Sequence, residues 1–240
     1  MSNELILIIS LVGIYSAVLV WFAFFGENGL FCFSIVATIT ANIEVLILIN
    51  AYGMEQTLGN VLFGATFLIT DILSEVKGKK ASQKAVNMSM LASVCFILLS
   101  QSWFLYTPCE NDTVFPSIAV IFSNTPRIML TSLIVYFISQ RFDVWAYHKW
   151  WSFTTKKFGD PKKYLWLRNN GSTLLSQLIN NILFTLGSFL FVYDIPTLID
   201  ICMSSYIIFI VTSLADTPAL YLARYIYTRW QKADNQGHVR

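Results

Sequence analysis

Apolar residues in this chain come in long blocks separated by short polar clusters, without the strict alternation of strands. A membrane-crossing helix needs about 20 mostly apolar residues. The blocks predict seven such helices, at residues 5–25, 30–50, 57–76, 85–106, 127–147, 173–193 and 197–225. The fifth is the least clear, because it is apolar only to about Gln140. The expected fold is therefore all-α, a polytopic bundle of six or seven spans in one domain over residues 1–240. No Lys or Arg precedes the first block, so it reads as a retained span and not a cleaved leader.

Composition agrees. The chain is 55% hydrophobic and only 12% charged, about half the charge of an ordinary soluble domain. Its net charge of +2 says little, but the distribution sets an orientation. Lys77, Lys79, Lys80 and Lys84 follow the third block. Lys149, Lys156, Lys157, Lys162, Lys163 and Arg168 separate the fifth from the sixth, and Arg224, Arg229, Lys232 and Arg240 close the chain. Acidic Glu110, Asp112 and Asp194 mark the other side. The basic segments are expected at the cytoplasmic face of a bacterial inner membrane, with the C-terminus inside. The aromatic, basic connection around Lys149–Arg168 is expected on the membrane surface. Cys32, Cys95, Cys109 and Cys202 read as small packing residues, not as a disulfide framework or metal site.

The buried acids are the informative chemistry. A carboxylate at the centre of a span costs on the order of 2.5–3.5 kcal/mol, so it marks a functional position by default. Asp71 and Glu75 sit one helical turn apart on one face, continued by Asn60, Gly64 and Phe67 or Leu68. They form a polar cavity wall, or Glu75 lies at the interface and pairs with Lys79. Gln177, Asn180, Asn181 and Phe184 share a stripe in the sixth block, with Asn170 just before it. These amides either join helices or offer a hydrogen-bonding surface to a flat polar ligand. Arg127, after Thr125-Pro126, either snorkels outward or pairs with a buried acid such as Glu44. The segment Val114–Pro126 is too short to span. Pro218 is expected to bend or break the seventh helix beside Asp216. There is no phosphate-binding G-x-x-x-x-G-K-[ST] loop and no H-E-x-x-H; no metal or cofactor is expected.

Four motifs in order resemble the queuosine-precursor transporter family, a branch of the vitamin-uptake-like transporters. Thr70–Lys80 matches T-D-I-L-x-E-x-x-G-K-K, and Thr125-Pro126-Arg127-Ile128 matches S/T-P-R-I. Arg168, Asn169, Ser172, Thr173, Ser176 and Gln177 match R-N-x-x-S-T-x-x-S-Q; Asp216, Thr217, Pro218 and Tyr221 match D-T-P-x-x-Y. The resemblance covers most of Thr57–Arg224. It implies uptake of 7-cyano-7-deazaguanine, 7-aminomethyl-7-deazaguanine or queuine for tRNA modification. One position departs: Asn180 stands where the family usually carries an acid.

On this reading Asp71, Glu75, Asn170, Gln177, Asn180, Asn181 and Asp216 line a midplane cavity, with Phe67, Phe184 and Tyr221 stacking on the ligand. Glu44, Arg127 and Arg168 balance charge or couple transport. The expected partners are the small molecule, the lipid bilayer and a second copy of the chain, with no direct nucleic-acid contact. Two alternatives stand beside it. One is the substrate-capture subunit of an energy-coupling-factor importer. The other is an intramembrane aspartyl protease using Asp71 and Asp216.

Overall fold

The computed structural model describes residues 2–123, 126–160 and 163–237, except the side chains of 55, 123, 126–129 and 233–237. Seven α-helices and one small hairpin of strands make up the described chain. They are α1 Asn3–Glu44, β1 Leu48–Ala51, β2 Met54–Thr57, α2 Gly59–Val76, α3 Lys79–Ser102, α4 Phe115–Ser123, α5 Pro126–Phe158, α6 Leu165–Phe189 and α7 Ile195–Gly237.

The first two predicted spans are the two arms of α1. Gly26 has φ 61° and ψ −139°, which reverses the helix; a side chain there would be strained. The reversal is tight. A Cβ on Gly29 would lie 2.2 Å from the Trp21 carbonyl oxygen, and the Trp21 and Phe33 rings meet at 5.9 Å. Both ends of α1 return to the same side of the molecule, where Asn3 donates to the Asn50 carbonyl at 2.8 Å. The second arm stops at Glu44, six residues short of the predicted boundary, because the chain turns there into the antiparallel pairing Leu48↔Thr57 to Ala51↔Met54. Gly29→Ala is expected to lower the thermal unfolding midpoint in detergent, because an overpacked backbone contact costs about 1–3 kcal/mol. An unchanged midpoint would refute the hairpin packing.

Helix α2 is the centre of the bundle and packs against α1, α3, α5 and α7, while α6 lies between α5 and α7. Polar groups cluster inside this bundle, and large apolar side chains such as Ile8, Val12, Leu91, Leu98, Val120, Ile134 and Val211 cover the outside. Beside an apolar core that includes Phe22, Leu68, Ile69 and Ile72, these polar groups and the apolar exterior suit hydrocarbon surroundings, where interhelical hydrogen bonds and packing replace the hydrophobic drive. Among the described residues four helices are long and apolar enough to cross a membrane: α1, α2, residues Lys79–Leu105 and residues Ile195–Lys232. Helices α5 and α6, at 33 and 25 residues, have the length but carry more polar side chains.

Three local expectations need correction. The basic segment predicted as a surface connection is largely helix, because α5 runs on to Phe158. Pro218 lies inside continuous α7. The α6 amides support that stretch: Asn169 donates to Asp216 at 2.6 Å and Asn170 to Thr217 at 2.8 Å. Cys32, Cys95 and Cys109 are exposed, not packed, because they lie on outer or loop surfaces. In the loop before α4, Asp112 accepts from the N–H groups of Val114 and Phe115, which holds its carboxyl below the usual range.

Candidate functional site

Three polar tiers stack along the bundle, and α6 contributes to each. The first is a cleft at the end that carries the β-hairpin and the N-terminus. Its walls come from the end of α1, the start of α2, α5, the second half of α6 and the start of α7. Asn42, Asn60, Ser132, Asn180, Asn181 and Ser205 supply polar groups, and Phe63, Phe184, Phe189 and Phe209 supply aromatic faces. Some of these groups are spent on one another. Ser132 donates to Asn42 at 2.6 Å, Thr57 to Asn60 Oδ1 at 3.0 Å and Ser139 to Asn180 Oδ1 at 3.1 Å. Buried Asn60 Nδ2 has no partner among the described residues. The cleft holds about 60 Å³, room for a few waters. Binding a drug-sized molecule takes roughly 300 Å³ or more, so lining side chains must move to admit one.

The second tier lies one to three turns further along α6 and is wholly buried. Asp71 of α2, Asp143 of α5 and Asp216 of α7 converge there. One face of α6, at i, i+4 and i+7, donates to all three. Asn169 bonds Asp216 at 2.6 Å, Thr173 bonds Asp71 at 2.9 Å and Ser176 bonds Asp143 at 2.8 Å. Asp71 Oδ1 and Asp143 Oδ2 have no other donor among the described residues. The Asp71 and Asp143 carboxyl groups are neighbours in this tier. Gln140 separates this tier from the cleft: it donates to Thr66 at 2.7 Å and accepts from Thr70 at 3.1 Å.

The third tier is an ion-pair lock at the basic end. The fully buried Arg168 guanidinium contacts Glu75 at 2.6 Å, and Arg224 reaches the same carboxylate at 3.4 Å. Tyr147 donates to Glu75 at 2.9 Å, and Trp151 lies 4.5 Å from the guanidinium carbon. The lock joins α2, α5, α6 and α7.

The residues expected around a single cavity are thus distributed by depth. Asn180, Asn181 and Phe184 line the cleft, Asp71 and Asp216 lie in the carboxyl tier, and Glu75 and Arg168 form the lock. Glu75 meets Arg168 and not Lys79, because α6 brings a buried guanidinium across to it. Buried Gln177 does not line the cleft, and its Oε1 has no partner among the described residues. Asn170 clamps α7. Phe67 backs Phe63 at 5.4 Å without lining the cleft, and Tyr221 faces outward, 44% exposed. Glu44 is half-buried near the cleft, outside its lining. The Arg127 side chain lies outside the described residues, and with it the proposed Glu44 pairing.

Sequence reasoning missed Asp143. Its signal was present: Gln140 and Asp143 are spaced i, i+3, and the polarity at Gln140 was read as the end of a span when it marks an inward face. Tyr147 and Arg224 were missed for the same reason.

The pattern of a family described as "putative vitamin uptake transporter" matches residues 57–223, which hold all three tiers except the α1 wall of the cleft and Arg224 of the lock. The chain belongs to that family. A relative from Bacillus subtilis (strain 168), named "Probable queuosine precursor transporter", is 33% identical over 207 residues, 86% of this chain and 88% of its own length. No solved structure matches. Membership in the vitamin uptake transporter family makes this a transporter and not an enzyme. The three acids of the second tier therefore belong to a transport protein and not to an aspartyl protease.

Proposed function

We propose that this chain imports a queuosine precursor, a 7-deazaguanine compound, across the bacterial inner membrane by alternating access. The observation that carries the reading is the cleft, in which amides and hydroxyls face phenyl rings. A guanine-like base presents ring N–H, amine and carbonyl groups in one plane. Amides match those edges, and aromatic faces stack on the ring for about 1–3 kcal/mol. The relative's name supports the same ligand class.

The proposed topology has seven crossings, with the two arms of α1 counted separately and the basic end cytoplasmic. The cleft then opens outward, above a closed carboxyl tier and a closed Glu75–Arg168 lock. Inward release requires that lock to part. The neighbouring carboxyl groups of Asp71 and Asp143 are the proposed route for coupling to protons.

The test is restoration of queuosine in tRNA. The host lacks precursor synthesis and its own importer, and the medium supplies each 7-deazaguanine separately at low concentration (queuine in a host able to use it). Restoration by at least one compound is expected. No restoration by any, with the protein present in the membrane, overturns the reading.

A further inference from the structure

The cleft is uncharged. No Asp, Glu, Lys, Arg or His lies among its described lining residues. Its unspent polar atoms include two donors, for neither Asn60 Nδ2 nor Asn180 Nδ2 donates to a protein group among the described residues. Asn181 Oδ1 and the Ser205 hydroxyl offer acceptors elsewhere in the lining, and the wall at Asn60 and Asn180 suits a ligand group that presents an acceptor. An ammonium arm carries three donors and no acceptor. Placed here it would lose its water and meet no counter-charge, which is the costly way to bury an ion. Phenyl faces return part of that loss, but the described lining lacks Trp, the ring with the strongest attraction for a cation.

The acids of the carboxyl tier stand behind a partition, and half-buried Glu44 lies near the cleft outside its lining. Ser139 donates to Asn180 at 3.1 Å, and Gln140 links Thr66 and Thr70 just beneath. Asn180 sits one turn from Ser176, the donor to Asp143, so it is the lining residue at the boundary between the neutral cleft and the carboxyl tier.

We propose that the cleft selects by charge: it takes the planar 7-deazaguanine ring with an uncharged, acceptor-bearing 7-substituent and rejects the same ring with an ammonium arm, and Asn180 sets this preference. The inference rests on the function proposed above and narrows its substrate. A nitrile nitrogen would accept from the Asn180 amide, whereas an ammonium group would oppose that amide donor to donor.

The test is calorimetric titration of the purified full-length protein with 7-cyano-7-deazaguanine and with 7-aminomethyl-7-deazaguanine. The wild type is expected to bind the cyano compound at least about tenfold more tightly, the scale at which a hydrogen-bonding site rejects a mismatched analogue. Asn180→Asp keeps the acceptor for Ser139 and adds a carboxylate, so it is expected to reduce or invert the ratio. Asn180→Ala is expected to weaken the cyano compound alone, and it carries the test if the aspartate variant does not fold. Equal or tighter wild-type binding of the aminomethyl compound overturns the inference and leaves the transport reading standing. An unchanged ratio in the folded variants removes Asn180 from the selection. Binding of neither compound by the wild type refutes the proposed function itself.

Discussion

Asp143→Asn is expected to abolish concentrative uptake while the protein stays folded and still exchanges ligand for ligand across the membrane. The geometry explains the separation. Asparagine keeps an oxygen for the Ser176 hydroxyl, now 2.8 Å from Asp143 Oδ1. Its amide nitrogen can donate to the neighbouring Asp71 carboxylate, whose Oδ1 has no donor among the described residues. The tier keeps its hydrogen bonds but can no longer release a proton from this position. Proteoliposomes loaded with unlabelled 7-deazaguanine give the exchange rate, and empty ones with an imposed proton gradient give concentrative uptake. Undiminished driven uptake would make the pair purely structural. Loss of exchange in a folded variant would place Asp143 in binding or in the conformational step.

Arg168→Gln is expected to have the largest effect on stability. The wild-type guanidinium is fully buried and holds Glu75 at 2.6 Å. Removing one partner of a buried ion pair costs about 3–5 kcal/mol, and the lower end applies here because Arg224 still reaches Glu75 at 3.4 Å. In thermal unfolding that is a fall in midpoint on the order of 10 °C for a chain of this size. The double variant Glu75→Gln with Arg168→Gln should recover much of the loss, because the buried carboxylate charge is then gone and Arg224 is partly exposed. Arg224 is 24% exposed and lies 3.4 Å from the other Glu75 oxygen, so Arg224→Gln should cost about 1 kcal/mol or less. Equal costs for the two arginine variants would contradict a lock centred on Arg168.

Much of the architecture was legible in the chain because it depends on composition summed over long windows. Runs of apolar residues predict helices wherever they lie, and clusters of lysine mark one end of a bundle whatever its internal packing. Asp71 and Asp216 stood out for the same reason: a lone acid in an apolar run is costly, so it is conspicuous. The motif around Thr70–Lys80 and its three companions carried the family resemblance without any coordinates.

Depth and partnership were not legible. Asp71 and Glu75 share one helical face and look like one site, yet one joins a carboxyl cluster and the other an ion-pair lock, because α6 sets a neutral Thr173 against Asp71 and a buried guanidinium, Arg168, against Glu75. Asp143 was hidden because polarity that faces inward and polarity that leaves the membrane look alike in one dimension. Pro218 was expected to bend or break α7 and does not break it, because whether a missing backbone bond breaks a helix depends on what packs beside it, here Asn169 and Asn170. The sequence by itself determined that this is a helical membrane protein with buried acids and an amide-rich sixth helix. Only the tertiary structure decided that these groups form three separate tiers, because interhelical contacts join residues distant along the chain, such as Thr173 and Asp71, 102 positions apart.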